Sequence, residues 1–414
     1  MTYVIIGAGS RGMIYGSWAL QNGHTIAAIA ELRPDRLKDA GETLQVPENM
    51  RFCDAAALFA LGRIADAAII CTLDRDHYGH VMQALECGYH ILLEKPISPD
   101  PKECLEIEAK ANEKQLKITV CHVLRYTNFF GALKDILDSG ELGKVVAIKH
   151  SENIGNFHMA HSFVRGNWRN DTLSSPIIMQ KSCHDLDILL WLTGSHCTKV
   201  AAFGSLSYFK EANAPEGSSD RCSTCSVAEK CRFDAKKCYL PSLGQWPTDV
   251  VCLEQTPEAL TRALETGPYG RCVYRCDNNV CDHMSIILEF ENGVTATFSL
   301  TAQTSPCHRN IHIMCEDGEI IADDGTREIL VRHHVSSQAD TFTERIINVR
   351  TNASGHGGGD ARIMADFTAG LNAAAESRSS ISRSVESHLM ACAIEHARLT
   401  GTVVDMKQYR NSLL

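Results

Sequence analysis

Three glycines near the start of the chain have the spacing of a phosphate-binding turn. Gly7, Gly9 and Gly12 follow an apolar run at residues 4–6 and precede a helix-forming stretch at residues 13–20. The first glycine permits a tight turn, the second lets the backbone approach a pyrophosphate, and the third lets the helix pack closely on the strand. The first turn of that helix offers free N–H groups to the phosphates. The pattern predicts a dinucleotide site formed by Gly7, Gly9, Ser10, Arg11 and Gly12.

An acidic residue follows the second apolar run, at residues 25–30. Glu31 lies 24 residues after Gly7, close to the distance of about 20 residues expected for the carboxylate that binds the ribose 2′-hydroxyl. Because a carboxylate repels a 2′-phosphate, NAD is favoured over NADP. Arg33 and Arg36 are the competing signal, since an arginine here can hold that phosphate. We predict that Glu31 and Arg33 contact the cofactor and that the cofactor is NAD.

Polar residues follow two further apolar runs, at residues 67–71 and 91–93. Thr72 and His77 come after the first run, and Glu94, Lys95 and Pro96 come after the second. Because parallel strands end at one edge of a sheet, we expect these residues beside the glycine turn. Lys95, fixed by the proline, can donate a hydrogen bond to a hydroxyl that is being oxidised. The alternative is a surface lysine in a salt bridge with Glu94.

A histidine is the second candidate acid–base group. His184 and Asp187 are three residues apart, so on a helix they share a face. An imidazole titrates near neutral pH and can take the proton that a hydroxyl loses on oxidation. Lys181 adds a second positive charge, and a loop nearby is rich in histidine, arginine and tryptophan.

Length and composition set the broad class. A chain of 414 residues suggests two domains. Its formal net charge of −10 gives no support for binding to nucleic acid or to an anionic membrane. We find no apolar run long enough to span a bilayer and no basic, apolar leader, and we expect a cytoplasmic protein.

The order of predicted elements indicates an α/β fold with two parts. Residues 1–122 alternate strand and helix, which is typical of a Rossmann, doubly wound parallel sheet that binds NAD. Residues 123–414 contain strands at 199–204, 285–291, 294–301, 309–315, 318–323 and 328–333, with Asn292-Gly293 as a hairpin turn. We expect a C-terminal α/β domain with a large, mostly antiparallel open sheet, for substrate binding and oligomerisation. A cysteine-rich insertion is expected at about residues 205–280.

These motifs together resemble the Gfo/Idh/MocA family of sugar and cyclitol oxidoreductases. The resemblance rests on the glycine turn, Thr72 with His77, Glu94-Lys95-Pro96, Arg125-Tyr126, and His184-x-x-Asp187 before Leu190-Trp191-Leu192-x-Gly194. It implies that substrate lies between the second sheet and the nicotinamide, and that copies pair through the outer face of that sheet as a dimer or tetramer. It also implies catalysis by Lys95, His184 and Lys181, a cofactor contact from Arg125, and substrate contacts from Tyr126, His161, Trp168, Arg169, Asp187 and His356.

The implied activity is oxidation or reduction of a secondary hydroxyl of a sugar, glycoside or cyclitol with NAD. One departure bears on this, because many family members have an aspartate four residues before the histidine where this chain has Gln180. Two alternatives therefore stay open. The first is a glycosidase that retains NAD and cleaves by oxidation, elimination, hydration and reduction. The second is a regulatory protein that senses a dinucleotide.

Part of the chain's 18 cysteines form a cluster. Cys222-x-x-Cys225, followed by Cys231, fits tetrahedral thiolate coordination of a structural zinc ion. Cys238, Cys272 and Cys276 compete for the fourth position, and resemblance to relatives with this insertion favours Cys272. The alternatives are an iron–sulfur cluster and reduced cysteines without a metal.

Overall fold

The first sheet contains six parallel strands. The computed structural model describes residues 1–338, 341–350, 355–372 and 376–414. The strands are β1 Thr2–Ile6, β2 Thr25–Ala30, β3 Arg51–Phe52, β4 Ala67–Ile70, β5 His90–Leu93 and β6 Ile118–Val120. Their order is β3-β2-β1-β4-β5-β6, so the strand order reverses between β1 and β4. Such a switch point opens a crevice for ligands at the carboxyl ends of the strands.

Helices cover both faces of this sheet, which is why its two central strands, β1 and β4, are largely apolar. Residues 4–6 and 67–70 are almost fully buried, as expected for a parallel sheet between two helical layers. The helices are α1 Ser10–Gln21, α2 Pro34–Thr43, α3 Ala55–Phe59, α4 His77–Glu86 and α5 Pro101–Lys114.

The second sheet has nine strands in the order β14-β13-β12-β11-β7-β10-β9-β8-β15. Neighbouring strands are antiparallel except β7 and β10, which are parallel. Burial alternates residue by residue along β9 and β10, because one face packs on helices and the other is open. The strands are β7 Val145–Asn153, β8 Cys197–Ser205, β9 His283–Phe290, β10 Thr295–Thr301, β11 His308–Cys315, β12 Gly318–Asp323, β13 Glu328–His334, β14 Phe342–Asn348 and β15 Val404–Asp405.

The remaining helices join the two sheets. Helix α9 lies almost wholly buried, and α14 packs against α5 of the first part and against β8 and α9 of the second. Helix α13 packs against α1. The helices are α6 Asn128–Asp138, α7 Asn156–His158, α8 Ile177–Gln180, α9 Cys183–Thr193, α10 Ala235–Tyr239, α11 Thr248–Val251, α12 Pro257–Thr266, α13 Gly359–Asn372, α14 Ile381–Thr400 and α15 Met406–Leu413.

The cysteine-rich insertion runs between β8 and β9 and has its own small apolar core. Tyr239 and Leu260 are completely buried there, with Leu264 and Tyr269 beside them. Its secondary structure is limited to α10–α12 and single turns.

The fold class predicted from the sequence is confirmed, including the mostly antiparallel second sheet and the hairpin turn at Asn292-Gly293. Residues 177–193 contain two helices, α8 and α9, and β14 was not predicted. Among the described residues, no helix is both long and apolar enough to cross a membrane. The boundary at residues 122/123 remains a prediction.

Candidate functional site at the junction of the two sheets

The glycine turn connects β1 to α1 at the carboxyl edge of the first sheet. Gly7 has a φ of +87°, and a Cβ atom there would lie 2.7 Å from the carbonyl oxygen of Cys71. A Cβ atom on Gly12 would lie 2.2 Å from the carbonyl oxygen of Gly7, so only glycine lets α1 pack this closely. At Gly9, among the residues that the structure describes, the one neighbour within 4 Å of such an atom is Nη1 of Arg36, at 3.5 Å. The backbone at Gly9 is therefore open to a phosphate.

Glu31 lies beside this turn. Its Oε2 accepts a hydrogen bond from the N–H of Ala8 (2.9 Å), and its Oε1 accepts one from the N–H of Arg33 (3.0 Å). The Arg33 guanidinium is exposed and pairs with Asp35 at 2.5 Å. Nε of Arg36 is buried and has no hydrogen-bond partner in the described parts of the chain. The residues fit a dinucleotide, with Arg36 rather than Arg33 as the guanidinium next to the turn.

Arg11 is held by acidic side chains. Its Nε lies 2.7 Å from Oε1 of Glu94, and its Nη2 lies 2.6 Å from Oδ1 of Asp360. The hydroxyl of Tyr15 donates to Glu94 (2.8 Å), and Nδ1 of His356 lies 3.1 Å from the Asp360 carboxylate. Burial would raise the pKa of Glu94, but Arg11 and Lys95 together lower it. The charges of Arg11, Glu94 and Asp360 are thus paired within the protein, and the cofactor contacts of Arg11 and Glu94 remain predictions.

His77 and Thr72 hold the turn that carries Lys95. Nδ1 of the fully buried His77 lies 2.7 Å from the carbonyl oxygen of Pro96, and Nε2 lies 3.1 Å from the carbonyl oxygen of Thr72. Burial lowers the pKa of His77. The Thr72 hydroxyl lies 3.1 Å from Nδ1 of His80. The cofactor contacts of Thr72 and His77 remain predictions.

Lys95 meets the segment that carries His184. Its Nζ donates a hydrogen bond to the main-chain oxygen of Gln180, 2.7 Å away, and His184 follows in the first turn of α9. Nδ1 of His184 is buried and has no hydrogen-bond partner among the described residues. Burial, and then the charge of Lys95 and the proximity of His122, hold the pKa of His184 well below 6.5. The imidazole is therefore neutral near pH 7 and can accept a proton.

A buried chain of charged side chains lies behind Lys181, and sequence analysis did not find it. Nζ of Lys181 lies 3.2 Å from Oε1 of Glu152, whose Oε2 lies 2.5 Å from Nη2 of Arg309. Arg309 also binds Asp185 (Nε–Oδ1 2.7 Å), and Nε2 of His150 lies 2.7 Å from the same carboxylate oxygen. The sequence signal that could have indicated these contacts is the alternation of buried and exposed side chains along β7 and β11, which turns charged residues toward the helices.

Arg125 and Asp187 bind each other. Nε and Nη2 of Arg125 donate to Oδ2 and Oδ1 of Asp187 at 2.6 and 2.7 Å, and both side chains are buried. Tyr126 is also buried, and its hydroxyl donates to Asp366 (2.8 Å). The contacts predicted for Arg125 with the cofactor, and for Tyr126 and Asp187 with the substrate, remain predictions. These polar groups are already engaged inside the protein.

The histidine-rich loop packs against the cysteine-rich insertion. His161 stacks on Tyr269 with ring centroids 4.7 Å apart, and its Nδ1 lies 3.0 Å from the hydroxyl of Tyr239. Burial and then Arg165 lower the pKa of His161 to about 4. The half-exposed ring of Trp246, in the insertion, lies 5.5 Å from the His161 ring. Trp246 is an aromatic candidate for sugar contact that sequence analysis missed.

Trp168 and Arg169, the other residues predicted from this loop, are partly exposed. Trp168 is 40% exposed and packs on Phe163. Arg169 pairs with Asp277 (Nε–Oδ1 2.7 Å), which ties the loop to the insertion. His158 lies beside an exposed thiol, with its Nδ1 3.7 Å from Sγ of Cys307. Its pKa is lowered well below 6.5 by burial, then by Lys181 and His161, and then by Lys95 and Arg309.

The zinc prediction finds no support in the structure. Cys222, Cys225, Cys231 and Cys272 do line one cavity, of about 20 Å³. Cys238 does not line it and donates to the carbonyl oxygen of Arg232 (3.6 Å). Over the described ranges, no group of three or more His, Cys, Asp or Glu side chains is arranged to hold a metal ion.

Comparison with known proteins places almost the whole chain in one family. A model of an oxidoreductase family with an NAD-binding Rossmann fold matches residues 1–122, and the model of the C-terminal α/β domain of that family matches residues 134–406. A putative oxidoreductase of Bacillus subtilis, YteT, is 24% identical over 317 residues, which are 74% of this chain and 72% of that protein. An inositol 2-dehydrogenase of Corynebacterium glutamicum is 26% identical over 47% of this chain and 55% of its own length.

Solved structures show the same fold over nearly the full length. A levoglucosan dehydrogenase in complex with NADH and L-sorbose has a TM-score of 0.74 with 16% identity, and 98% of each chain is covered. An oxidoreductase from Agrobacterium radiobacter in complex with NAD+, L-tartaric acid and magnesium has a TM-score of 0.71 with 17% identity, and 99% of each chain is covered.

Proposed function

This chain belongs to the Gfo/Idh/MocA family of NAD-binding oxidoreductases, and we propose that it transfers hydride between NAD and a secondary hydroxyl of a sugar, glycoside or cyclitol. The observation that carries the proposal is the meeting of Lys95 with the segment that holds His184. Lys95 comes from the edge of the first sheet, next to the glycine turn, whereas His184 comes from the second part. A sugar bound between them would face the cofactor.

The proposed reaction separates the two hydrogens of a carbinol. NAD, when bound, would supply the acceptor for the hydride that leaves carbon. Lys95 donates a hydrogen bond to the hydroxyl oxygen and stabilises the negative charge that develops there, and neutral His184 takes the hydroxyl proton. In the reverse direction His184 returns the proton to the carbonyl oxygen. The lowered pKa of His184 supports the role of a base in the oxidation.

The cofactor site would combine three elements. The N–H groups at Gly9 and Ser10, at the start of α1, face the pyrophosphate, where the positive end of the helix dipole favours anions. Glu31 accepts hydrogen bonds from the ribose hydroxyls and disfavours a 2′-phosphate, so NAD is the preferred cofactor. Arg36, with its unpartnered Nε, adds positive charge near the turn.

The open face of the second sheet supports the expectation of a homo-oligomer. It carries a groove of about 860 Å³ whose lining includes Ile287, Ile321 and Ile346, which are 60%, 38% and 60% exposed. Exposed apolar patches of this kind mark contact surfaces. Light scattering on the purified protein tests this by giving its mass in solution. A cytoplasmic location remains a prediction from the sequence.

The activity is tested by offering the purified protein and NAD a panel of sugars, cyclitols and p-nitrophenyl glycosides. We expect NADH to accumulate in proportion to the sugar oxidised. Release of p-nitrophenol without net NADH would support the glycosidase instead. Tight NAD binding with neither product across the panel would overturn the proposal in favour of a sensor.

A further inference from the structure

His122 lies two residues after β6, at the carboxyl edge of the first sheet, and the proposed reaction gives it no part. Its side chain is completely buried, and neither of its ring nitrogens has a hydrogen-bond partner among the described residues. Most buried polar atoms in folded proteins are hydrogen-bonded, so two unpartnered nitrogens on one ring require an explanation. A hydrogen bond that forms only when the site is assembled for catalysis is one such explanation.

Two other imidazoles pack against His122. Its ring centroid lies 5.7 Å from that of His184 on α9, with the rings nearly perpendicular, and 5.5 Å from that of His388 on α14. Both nitrogens of His388 are engaged, because Nε2 accepts from the N–H of Ile97 (2.9 Å) and Nδ1 lies 2.8 Å from the main-chain oxygen of Ser384. His388 therefore has no nitrogen left for His122. Nδ1 of His184, in contrast, is buried and unpartnered within the described parts of the chain.

A carboxylate favours one of the two positions for the proton of His122. Oδ2 of Asp187 lies 4.0 Å from Nδ1 of His122, and both side chains are buried. Burial lowers the pKa of His122 to about 4, although the charge of Asp187 acts in the opposite direction, and Arg125 lowers it further. The ring is therefore neutral near pH 7. A proton on Nδ1, beside the carboxylate, leaves Nε2 as a hydrogen-bond acceptor.

His184 has no carboxylate at the position four residues before it. The residue there is Gln180, whose Nε2 donates to the main-chain oxygen of Ser175 and whose Oε1 is buried without a partner in the described ranges. That amide oxygen is the competing acceptor for Nδ1 of His184. Because a base becomes a cation when it takes a proton, a partner backed by the carboxylate of Asp187 stabilises it more than a neutral amide does. This favours His122 as the partner.

We propose that His122 is a positioning residue for the catalytic base: its Nε2 accepts a hydrogen bond from the Nδ1–H of His184, and Asp187 holds the other side of its ring. The inference rests on the proposed function and adds a residue to it. The hydrogen bond selects the tautomer of His184 whose Nε2 is unprotonated, and Nε2 is the nitrogen that a ligand can reach, since Nδ1 is buried. As the O–H bond of the sugar breaks, the N–H bond forms at Nε2, and His122 with Asp187 stabilises the resulting imidazolium.

The first test compares three replacements of His122 by the single-turnover formation of NADH in protein preloaded with NAD. His122→Phe fills the volume without a polar atom and should lower the rate by roughly tenfold to a hundredfold, the value of one hydrogen bond to a charged group. The affinities for sugar and for NADH should not change. His122→Gln places an oxygen near the position of Nε2 and should restore most of the rate. His122→Asn places its amide near Nδ1 and should not.

His24→Phe is the matched control, because His24 directly precedes β2, at the amino end of the same sheet. It should react like the wild type, and melting temperatures show whether each variant is folded. A wild-type rate in folded His122→Phe overturns the inference. A loss confined to the affinity for sugar or NADH, or equal rates in His122→Gln and His122→Asn, also overturns it, since these results indicate a purely structural role.

The second test needs no turnover. A crystal structure of the NADH-bound protein should show Nδ1 of His184 hydrogen-bonded to Nε2 of His122, directly or through one ordered water. Nδ1 bound to Oε1 of Gln180, or left without a partner, overturns the inference. If no sugar yields NADH but this hydrogen bond is present, the proposed reaction falls and the pairing of the two imidazoles stands. If sugars are oxidised and the hydrogen bond is absent, the oxidoreductase stands and the role of His122 falls.

Discussion

Replacement of Asp187 by asparagine should lower the stability of the folded protein and leave its affinity for the cofactor unchanged. The carboxylate accepts two hydrogen bonds from Arg125, at 2.6 and 2.7 Å, and the two side chains are 1% and 5% exposed. Asparagine keeps the shape but removes the charge. It leaves a buried guanidinium without an ion-pair partner. Its remaining acceptors are Oδ1 of the asparagine and the main-chain oxygens of residues 187 and 378, beside the ring of Trp191.

The expected loss follows from this burial. Removal of one partner from a buried ion pair costs about 3–5 kcal/mol, because the other charge stays desolvated and unpaired. If residues 123–414 unfold cooperatively, a loss of about 4 kcal/mol in the free energy of unfolding corresponds to a fall of roughly 7 °C in the melting temperature, because the entropy of unfolding grows with the number of residues. Differential scanning calorimetry measures the fall, and quenching of protein fluorescence by NADH measures cofactor affinity.

The contribution of Asp187 should also depend on pH. Burial would raise its pKa, but Arg125 and then His122 lower it in the folded state. A carboxyl group with a depressed pKa stabilises the fold above its unfolded pKa of about 3.9 and loses this effect as the pH falls through the folded value. The stability difference between wild type and Asp187→Asn should therefore be full at neutral pH and shrink in acid.

Two further variants separate a structural role from a binding role. Arg125→Met with Asp187→Leu removes both charges together and should recover most of the lost stability. Asp135→Asn, on the exposed face of α6, is the matched control and should melt like the wild type. If Asp187→Asn instead keeps the wild-type melting temperature and raises the KM of the sugar, the carboxylate contacts substrate and our reasoning is refuted.

Three more predictions concern the cofactor site and the base. Gly12→Ala should weaken NADH binding and lower the melting temperature, because its Cβ would lie 2.2 Å from the carbonyl oxygen of Gly7. Gly79→Ala is the control: its Cβ would have no described atom within 4 Å, so NADH binding and the melting temperature should both stay unchanged. Glu31→Ala should weaken NADH binding by roughly tenfold or more and reduce the preference for NADH over NADPH. Unchanged selectivity in fluorescence titrations would count against a contact between Glu31 and the ribose. In a pH profile of kcat/KM, activity on the acid side should decline only well below pH 6.5, because the pKa of His184 is lowered and the base stays neutral down to that range. An inflection at or above pH 6.5 would contradict the role of His184 as the base.

Features with a local cause were predictable from the sequence. Gly7 and Gly12 are required by a turn and a helix contact formed within a few residues of each other. Asn292-Gly293 closes a hairpin between adjacent strands. Continuous apolar runs indicated the parallel sheet, and runs in which apolar and polar residues alternate indicated the antiparallel sheet. Strand β14, from Phe342 to Asn348, escaped because it is exposed along most of its length and lacks this alternation.

Side-chain partners that are distant in the chain were not predictable. Glu152 and Arg309 pair across 157 positions, and no spacing rule joins them. Arg11 and Asp187 were predicted to contact ligands, and no sequence pattern indicated that the fold pairs each of them with a buried partner. The spacing Cys222-x-x-Cys225 predicted a metal, whereas coordination depends on how four separate segments aim their thiols.

The central claim is that Lys95 and His184 act on one hydroxyl beside the nicotinamide. The most direct measurement is the single-turnover rate of NADH formation by Lys95→Met preloaded with NAD, with Lys102→Met, an exposed lysine at the start of α5, as the control. We predict a rate lower by about 10²- to 10⁴-fold, the usual contribution of a positioned acid–base group, with unchanged NADH affinity. A wild-type rate in Lys95→Met would contradict the account.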